Sequence, residues 1–421
     1  MKTVLAIETS CDETGVAFVR YDEHQTTNTS LYTSPAHALH SQIDTHAPYG
    51  GVFPMLAKRE HGHNLVGLLA SVIHKTENSG EISYTQLLYT HEKIEQALQH
   101  LERETELLEI CRHELTGSGN TKSILLKKPQ IDALVVTAGP GLEPALWVGI
   151  SFVKFLSTLW DIPVLPVNHM EGHIASVLLQ SSQKVIFPAL GLLISGGHTE
   201  LVSISDWGSY AVIGKTRDDA IGEAYDKVAR ILGLPYPGGP AISVHAEHIR
   251  NTYNTEHVEK LLAIHAIKLP RPMMHSKNLE FSFSGLKTAV LYLVRELKVK
   301  HNLEKESSLP QEVLQLICYE FEEAVTDVVR SKLDMAYEEH RSIQTLIVAG
   351  GVIANTYIRE TIETWCKTHD VMSFLPKSEL ATDNAVMIGL AGIQGLLSKR
   401  QTILDLSTLT ARGGWKIDEV Y

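Results

Sequence analysis

Apolar positions in this chain come in short, strand-length runs that break into polar, glycine-bearing turns. Residues 3–9 predict a strand, Ser10 to Thr14 a turn, and Gly15 to Val19 a returning strand. The same form recurs: Leu192 to Ser195 as a strand, Gly196-Gly197-His198 as the turn, Thr199 to Ile204 as the return. Two strand–turn–strand units suggest a duplicated architecture. Residues Ile131–Val136 predict a further strand, which ends in Thr137–Gly141 and feeds an apolar helix near Ala145–Leu159. Thr345–Val348 predicts another, running into Gly350-Gly351 and a helix through Asn355. Strands alternating with helices indicate an α/β fold around a central sheet.

Residues 76–129 break this rhythm and read as an insertion on the first lobe. Within it, Ile94–Leu115 predicts one charged amphipathic helix and Gly117–Lys122 a loop. The expected division is a first lobe at 1–165, a second at 166–383, and a tail at 384–421. A helix over 384–400 is expected to pack back on the first lobe.

With 421 residues, 44% hydrophobic and 20% charged, the chain can build two lobes without covalent staples. Its four cysteines, at 11, 111, 318 and 366, form no CxxC pair, which argues against a disulfide framework or cysteine zinc site. No basic, apolar leader and no run of 18 apolar residues is seen, so a cytoplasmic protein is expected. The net charge of −12 argues against phosphate-backbone binding over the whole surface. A local basic patch using Lys58, Arg59, Lys127 and Lys128 remains open.

His169 and His173 are four apart, so on a helix they share a face and can hold one metal. Two ordinary histidines would be the blander reading. Glu171 sits two residues after His169, about 200° round a helix, whereas a zincin places its glutamate directly after the first histidine. A third ligand could come from Asp383, which otherwise reads as a helix N-cap. Two imidazoles and a carboxylate suit iron(II) or zinc. The pairs Gly196-Gly197, Gly238-Gly239 and Gly350-Gly351 could admit phosphate or sugar to the backbone, or simply make tight turns. No P-loop and no strand–GxGxxG–helix unit is present. Asp219, Glu223 and Asp226 form an acidic stripe. It is either a solvated face paired with Lys227 and Arg230, or a cleft wall with Asp226 on ribose.

Together these stretches resemble the TsaD family, the tRNA N6-adenosine threonylcarbamoyltransferases once described as O-sialoglycoprotein endopeptidases. The matching segments run nearly end to end. The first are IETSCDETGVAF at 7–18, YGGVFPMLAKREH at 49–61, TAGPGLEPALWVG at 137–149 and VNHMEGHIAS at 167–176. LISGGHTELV at 193–202, DDAIGEAYDKVARILGLPYPGGP at 218–240 and FSFSGLKTAV at 281–290 follow, then VAGGVIAN at 348–355 and ATDNAVMIG at 381–389. The resemblance implies the two-lobed actin/Hsp70/sugar-kinase fold with duplicated mixed-sheet lobes.

It further implies one divalent metal, Fe2+ or Zn2+, on His169, His173 and Asp383. Nucleotide contacts would come from Leu193, Ile194, Ser195, Gly196, Gly197, Asp226, Gly239 and Asn355. The implied reaction moves a threonylcarbamoyl group from threonylcarbamoyl-AMP to N6 of adenosine 37 in tRNAs reading ANN codons, giving t6A and AMP, with Asp12 orienting the amine or taking its proton. Implied partners are tRNA, a TsaB-like paralogue and a TsaE-like ATPase. Ser243 stands where some members carry an acidic residue, and residues 76–129 are longer than the family leads one to expect. Competing readings are a small-molecule kinase or a non-catalytic ATPase on the same fold, and a metalloprotease, which the position of Glu171 disfavours.

Overall fold

The computed structural model describes residues 1–24, 31–116, 123–179, 184–304, 307–400, 402–403 and 405–421, without the side chains of 378 and 379. The chain divides into two compact units. One comprises Met1–Lys184, Trp207–Ser209 and Thr382–Tyr421; the other comprises Val185–Asp206 and Tyr210–Ala381.

In chain order the first unit contains β1 (Lys2–Glu8), β2 (Glu13–Tyr21), β3 (Tyr32–Ser41), β4 (Tyr84–Gln86), β5 (Lys127–Pro129), β6 (Ala133–Gly139) and β7 (Val164–Asn168). Five of these form a sheet in the order β3-β2-β1-β6-β7, and β4 pairs separately with β5. β1 is antiparallel to β2 and parallel to β6, which is parallel to β7. The second sheet comprises β8 (Ala189–Ile194), β9 (Thr199–Asp206), β10 (Ser209–Lys215), β11 (Thr345–Ala349) and β12 (Met372–Phe374). Its order is β10-β9-β8-β11-β12, with β8 antiparallel to β9, parallel to β11, and β11 parallel to β12. Each sheet therefore repeats one plan: a hairpin that opens the lobe, then parallel strands reached through helical crossovers. This is the duplicated α/β plan of the actin, Hsp70 and sugar-kinase class.

The central strands are buried almost throughout, as expected where helices cover both faces. β1 reads Val4-Leu5-Ala6-Ile7 and β11 reads Leu346-Ile347-Val348-Ala349, all without exposure. Separate apolar cores form around each sheet.

Two sequence expectations shift, and the expected packing of the final helix on the first lobe is found. The division falls at 184/185 rather than near 165, because β7 joins the first sheet and carries the histidine helix with it. Residues 94–115 form two helices, His91–Leu98 and Thr105–Thr116, joined by a turn at Gln99–Leu101. Leu98 and Leu101 are buried, and so are Leu107, Cys111 and Leu115. The six-residue step from Leu101 to Leu107 is out of phase for one straight helix, so the break lets both segments face the same core. The final helix spans Ala385–Leu397 and packs on β1 and β2 within the first unit. The loop expected at 117–122 lies outside the described residues.

Candidate active site

β7 ends at Asn168, whose side chain caps the next helix by accepting from the Met170 amide at 2.9 Å. That helix, His169–Ala175, presents His169 and His173 on one face, their rings 4.6 Å apart and nearly perpendicular. Gly172 lies against the Ala385–Leu397 helix; a Cβ there would meet Ile388 Cδ1 at 2.7 Å. Gly15 permits the same closeness at the other end, where a Cβ would sit 2.8 Å from the Ala385 amide nitrogen. These two approaches bring the Thr382–Asn384 turn onto the histidines. Asn384, not Asp383, caps the last helix, accepting from the Met387 amide at 3.0 Å. Asp383 is thereby released to face the imidazoles.

The three donors converge. His169 Nε2 and His173 Nε2 are 3.1 Å apart, and Asp383 Oδ1 lies 3.4 Å and 3.1 Å from them. Metal–ligand bonds of about 2.1 Å imply donor–donor edges of about 3.0 Å in an octahedral and about 3.4 Å in a tetrahedral site. The spacings fit one small dication. Among the described residues this is the one His/Cys/Asp/Glu group placed to hold a metal. Both histidines are buried, while the Asp383 side chain keeps 22% of its surface, so the set opens on the aspartate side. Burial opposes charge on His169, but Asp383 and Glu8 outweigh it and hold the imidazole well above its usual range. Burial likewise raises Asp383, yet His169 and His173 pull it below the usual carboxylate range.

Glu8 and Ser10, which sequence reasoning did not single out, lie behind His169. Glu8 has no exposure. Its Oε2 is 3.3 Å from His169 Nδ1, and the Ser10 hydroxyl is 3.1 Å from the same atom. The one available signal was a carboxylate closing an otherwise apolar strand.

Asp12, in the β1–β2 turn, is 9% exposed. The turn is fixed from behind by His61, whose Nε2 lies 3.0 Å from the Cys11 carbonyl. Its Nδ1 lies 2.7 Å from the Thr14 hydroxyl and 3.2 Å from the Gln42 amide nitrogen. The carbonyl takes the Nε2 proton and the Gln42 amide can only donate, so the geometry demands a neutral ring. Burial accordingly pushes His61 down to about 4. Burial, reinforced by Asp383 and Asp12, pushes neighbouring Glu13 up to about 10.

In the second unit, β8 ends in a turn in which the Ser195 amide donates to the His198 carbonyl at 2.8 Å and the Ser195 hydroxyl accepts from the His198 amide at 3.1 Å. Leu193 and Ile194 are buried in the core, which leaves only their main chain to a ligand. A Cβ on Gly196 or Gly197 would meet nothing within 4 Å. Gly222, opening the Ile221–Leu232 helix, packs on this turn, where a Cβ would sit 2.8 Å from Gly196 Cα. Gly350 closes the other side at φ 99°, where a Cβ would be 2.5 Å from the Ile194 carbonyl oxygen. Asp226 Oδ1 accepts from the Gly238 amide at 2.7 Å and so anchors the glycine pair that begins the Gly238–Thr252 helix. Gly239 faces open space.

Asn355 is a helix cap, its Oδ1 accepting from the Ile358 amide at 2.9 Å. Its Nδ2 donates to Ser243 at 2.7 Å and to Glu322 at 2.5 Å. Glu322 is fully buried and paired with Arg250. Two of the glycine pairs, Gly196-Gly197 and Gly350-Gly351, thus meet at the carboxyl ends of β8 and β11, the usual place for a ligand in an open α/β sheet. The acidic stripe separates: Asp219 precedes the helix and joins Glu223 on Lys227, at 2.7 Å and 2.8 Å, as ordinary ion pairs.

Glu171 turns away from the histidines and takes both guanidinium nitrogens of Arg400, at 2.7 Å and 2.9 Å. It is not placed as a protease base. Lys58 pairs with buried Glu104 at 3.0 Å, Arg59 approaches Glu106 at 3.8 Å, and Lys127 holds Glu77 at 2.6 Å. Lys122 lies outside the described residues. Among the described residues, no helix is long and apolar enough to cross a membrane.

The family sequence model for tRNA N6-adenosine threonylcarbamoyltransferase (TsaD) matches residues 121–390. A protein of that name from Methylobacillus flagellatus is 37% identical over 99% of this chain and 98% of its own. Another of that name, from Chromobacterium violaceum, is 39% identical over 93% of each. Among solved structures, HypF from T. kodakarensis aligns with 70% of this chain and 44% of its own at TM-score 0.43 and 15% identity. On the strength of the sequence match, the chain belongs to the TsaD family of tRNA N6-adenosine threonylcarbamoyltransferases.

Proposed function

We propose that this chain transfers the threonylcarbamoyl group of threonylcarbamoyl-AMP to N6 of adenosine 37 in tRNAs reading ANN codons. The observation that carries this reading is the convergence of His169, His173 and Asp383 within a chain of this family. In the step, the exocyclic amine forms a bond to the carbamoyl carbon. The bond from that carbon to the phosphate oxygen breaks, AMP leaves, and the amine surrenders one proton. Asp12, held by the His61 side of its turn, is the residue proposed to orient that amine and take the proton. The main chain of Leu193 to Gly197, with Gly239, is proposed to receive the adenylate. Asp226 and Asn355, which also fix the loops through their bonds within the fold, are proposed to contact it as well. His169, His173 and Asp383 would hold Fe2+ or Zn2+. When bound, such an ion supplies Lewis acidity toward the acyl or phosphate oxygens.

The kinase reading gives no role to the three converging donors, and the protease reading fails at Glu171. The reading includes work in the cytoplasm beside a TsaB-like paralogue and a TsaE-like ATPase. It also includes tRNA contact through a local basic patch. Lys58 is engaged with Glu104, so Arg59, whose side chain is 63% exposed, is the better candidate of that pair. The deciding experiment incubates the metal-loaded chain with threonylcarbamoyl-AMP, tRNA and the partner subunits, and analyses tRNA nucleosides by mass spectrometry. Appearance of t6A supports the reading; its absence with an intact donor refutes it.

A further inference from the structure

We propose that Glu8 is a positioning residue for the metal ligands: with Ser10 it takes the Nδ1 proton of His169 and so turns the bare Nε2 of that ring toward His173 and Asp383. The proposal rests on the metal reading above and adds a residue to it. Glu8 closes β1, has no exposure, and is held rigidly. Its Oε1 accepts from the Ser10 amide at 2.5 Å, and its Oε2 accepts from the Thr137 hydroxyl on β6. The remaining capacity of Oε2 points to His169 Nδ1 at 3.3 Å, where the Ser10 hydroxyl approaches at 3.1 Å.

A buried carboxylate is costly unless it is paired. Among the described residues, no lysine or arginine pairs with Glu8; its ionic contact is His169. An acceptor on one imidazole nitrogen fixes the tautomer and leaves the opposite nitrogen's lone pair for a metal. His173 lacks this support, because its Nδ1 is buried with no hydrogen-bond partner among the described residues. The two histidines are therefore unequal. His169 is oriented by a carboxylate anchored on two strands, and His173 by packing and the helix alone.

The experiment uses the metal-free full-length chain and zinc as the probe, with affinity read by competition against a chelator near neutral pH. Glu8→Gln keeps the shape but removes the charged acceptor and is expected to weaken zinc binding by about 10–100-fold. Ser10→Ala, which removes the weaker acceptor, is expected to weaken it by less. Long-range nitrogen–proton NMR of the zinc-loaded wild type is expected to show His169 protonated at Nδ1 and bound through Nε2. The same spectrum of Glu8→Gln is expected to lose that preference, which a merely structural role would not disturb.

A folded Glu8→Gln protein with wild-type zinc affinity overturns the proposal while leaving the metal site standing. If Glu8→Gln does not fold, the wild-type spectrum decides, and coordination of His169 through Nδ1 refutes the proposal. Failure of the wild type to bind zinc overturns this and the metal reading together. No tRNA enters the assay, so its outcome is separable from the transferase reading.

Discussion

Acidification is expected to destabilise the first unit through His61. The ring is fully buried and packed as the neutral form, its folded value pushed down to about 4 from an ordinary 6.5. Burial is the main cause; His46 and His40 add to it, while the Cys11 carbonyl and Glu8 act against it. In the unfolded chain the ring protonates first, so between these two values the unfolded state binds more protons. Stability contributed by His61 is therefore complete above about pH 6.5 and is lost as pH falls toward about 4. A separation of about 2.5 units corresponds to about 3 kcal/mol at full effect.

The perturbation that isolates this is His61→Gln, which keeps an amide able to bond the Cys11 carbonyl but cannot titrate. Urea unfolding of both proteins without metal, across that pH range, gives the comparison. Wild type is expected to lose about 3 kcal/mol more than the variant, and NMR of the folded wild type is expected to show His61 neutral at pH 5. Parallel pH profiles for the two proteins, or a folded-state titration of His61 near its ordinary value, would refute the reasoning.

Three further outcomes are expected. His173→Ala removes one of three donors spaced at 3.1–3.4 Å, and elemental analysis is expected to show bound metal falling from about one equivalent to near none; unchanged content would mean the donors are not ligands. Gly197→Val places a branched side chain where the turn now presents open backbone, and calorimetry is expected to show loss of AMP binding with zinc binding intact; equal affinity in a folded variant would leave Ser195–Thr199 as a plain turn. Lys58→Ala strands the buried Glu104 carboxylate and is expected to cost about 1–3 kcal/mol in urea unfolding, with tRNA affinity and its salt slope unchanged; a reduced slope at unchanged stability would return Lys58 to the tRNA surface.

Local sequence determined the hairpins, the buried parallel strands and the helix that pairs His169 with His173, because those features depend on periodicities of two and 3.6 residues and on glycine at turns. It could name Asp383 as a candidate but could not choose between ligand and cap. That choice depends on Asn384 taking the cap and on Gly15 and Gly172 letting distant segments approach. The break between Leu101 and Leu107 was in principle legible from the phase of the buried positions, but only once the shared core that both segments face was known. Glu8, Glu322 and the engagement of Lys58 were not legible. A carboxylate's role is set by what lies opposite it, and those partners are 161, 72 and 46 residues away in sequence. Sequence fixes which side chains are available and the face of the element they occupy; only tertiary packing decides which of them lose water, and therefore which must find a partner or a ligand.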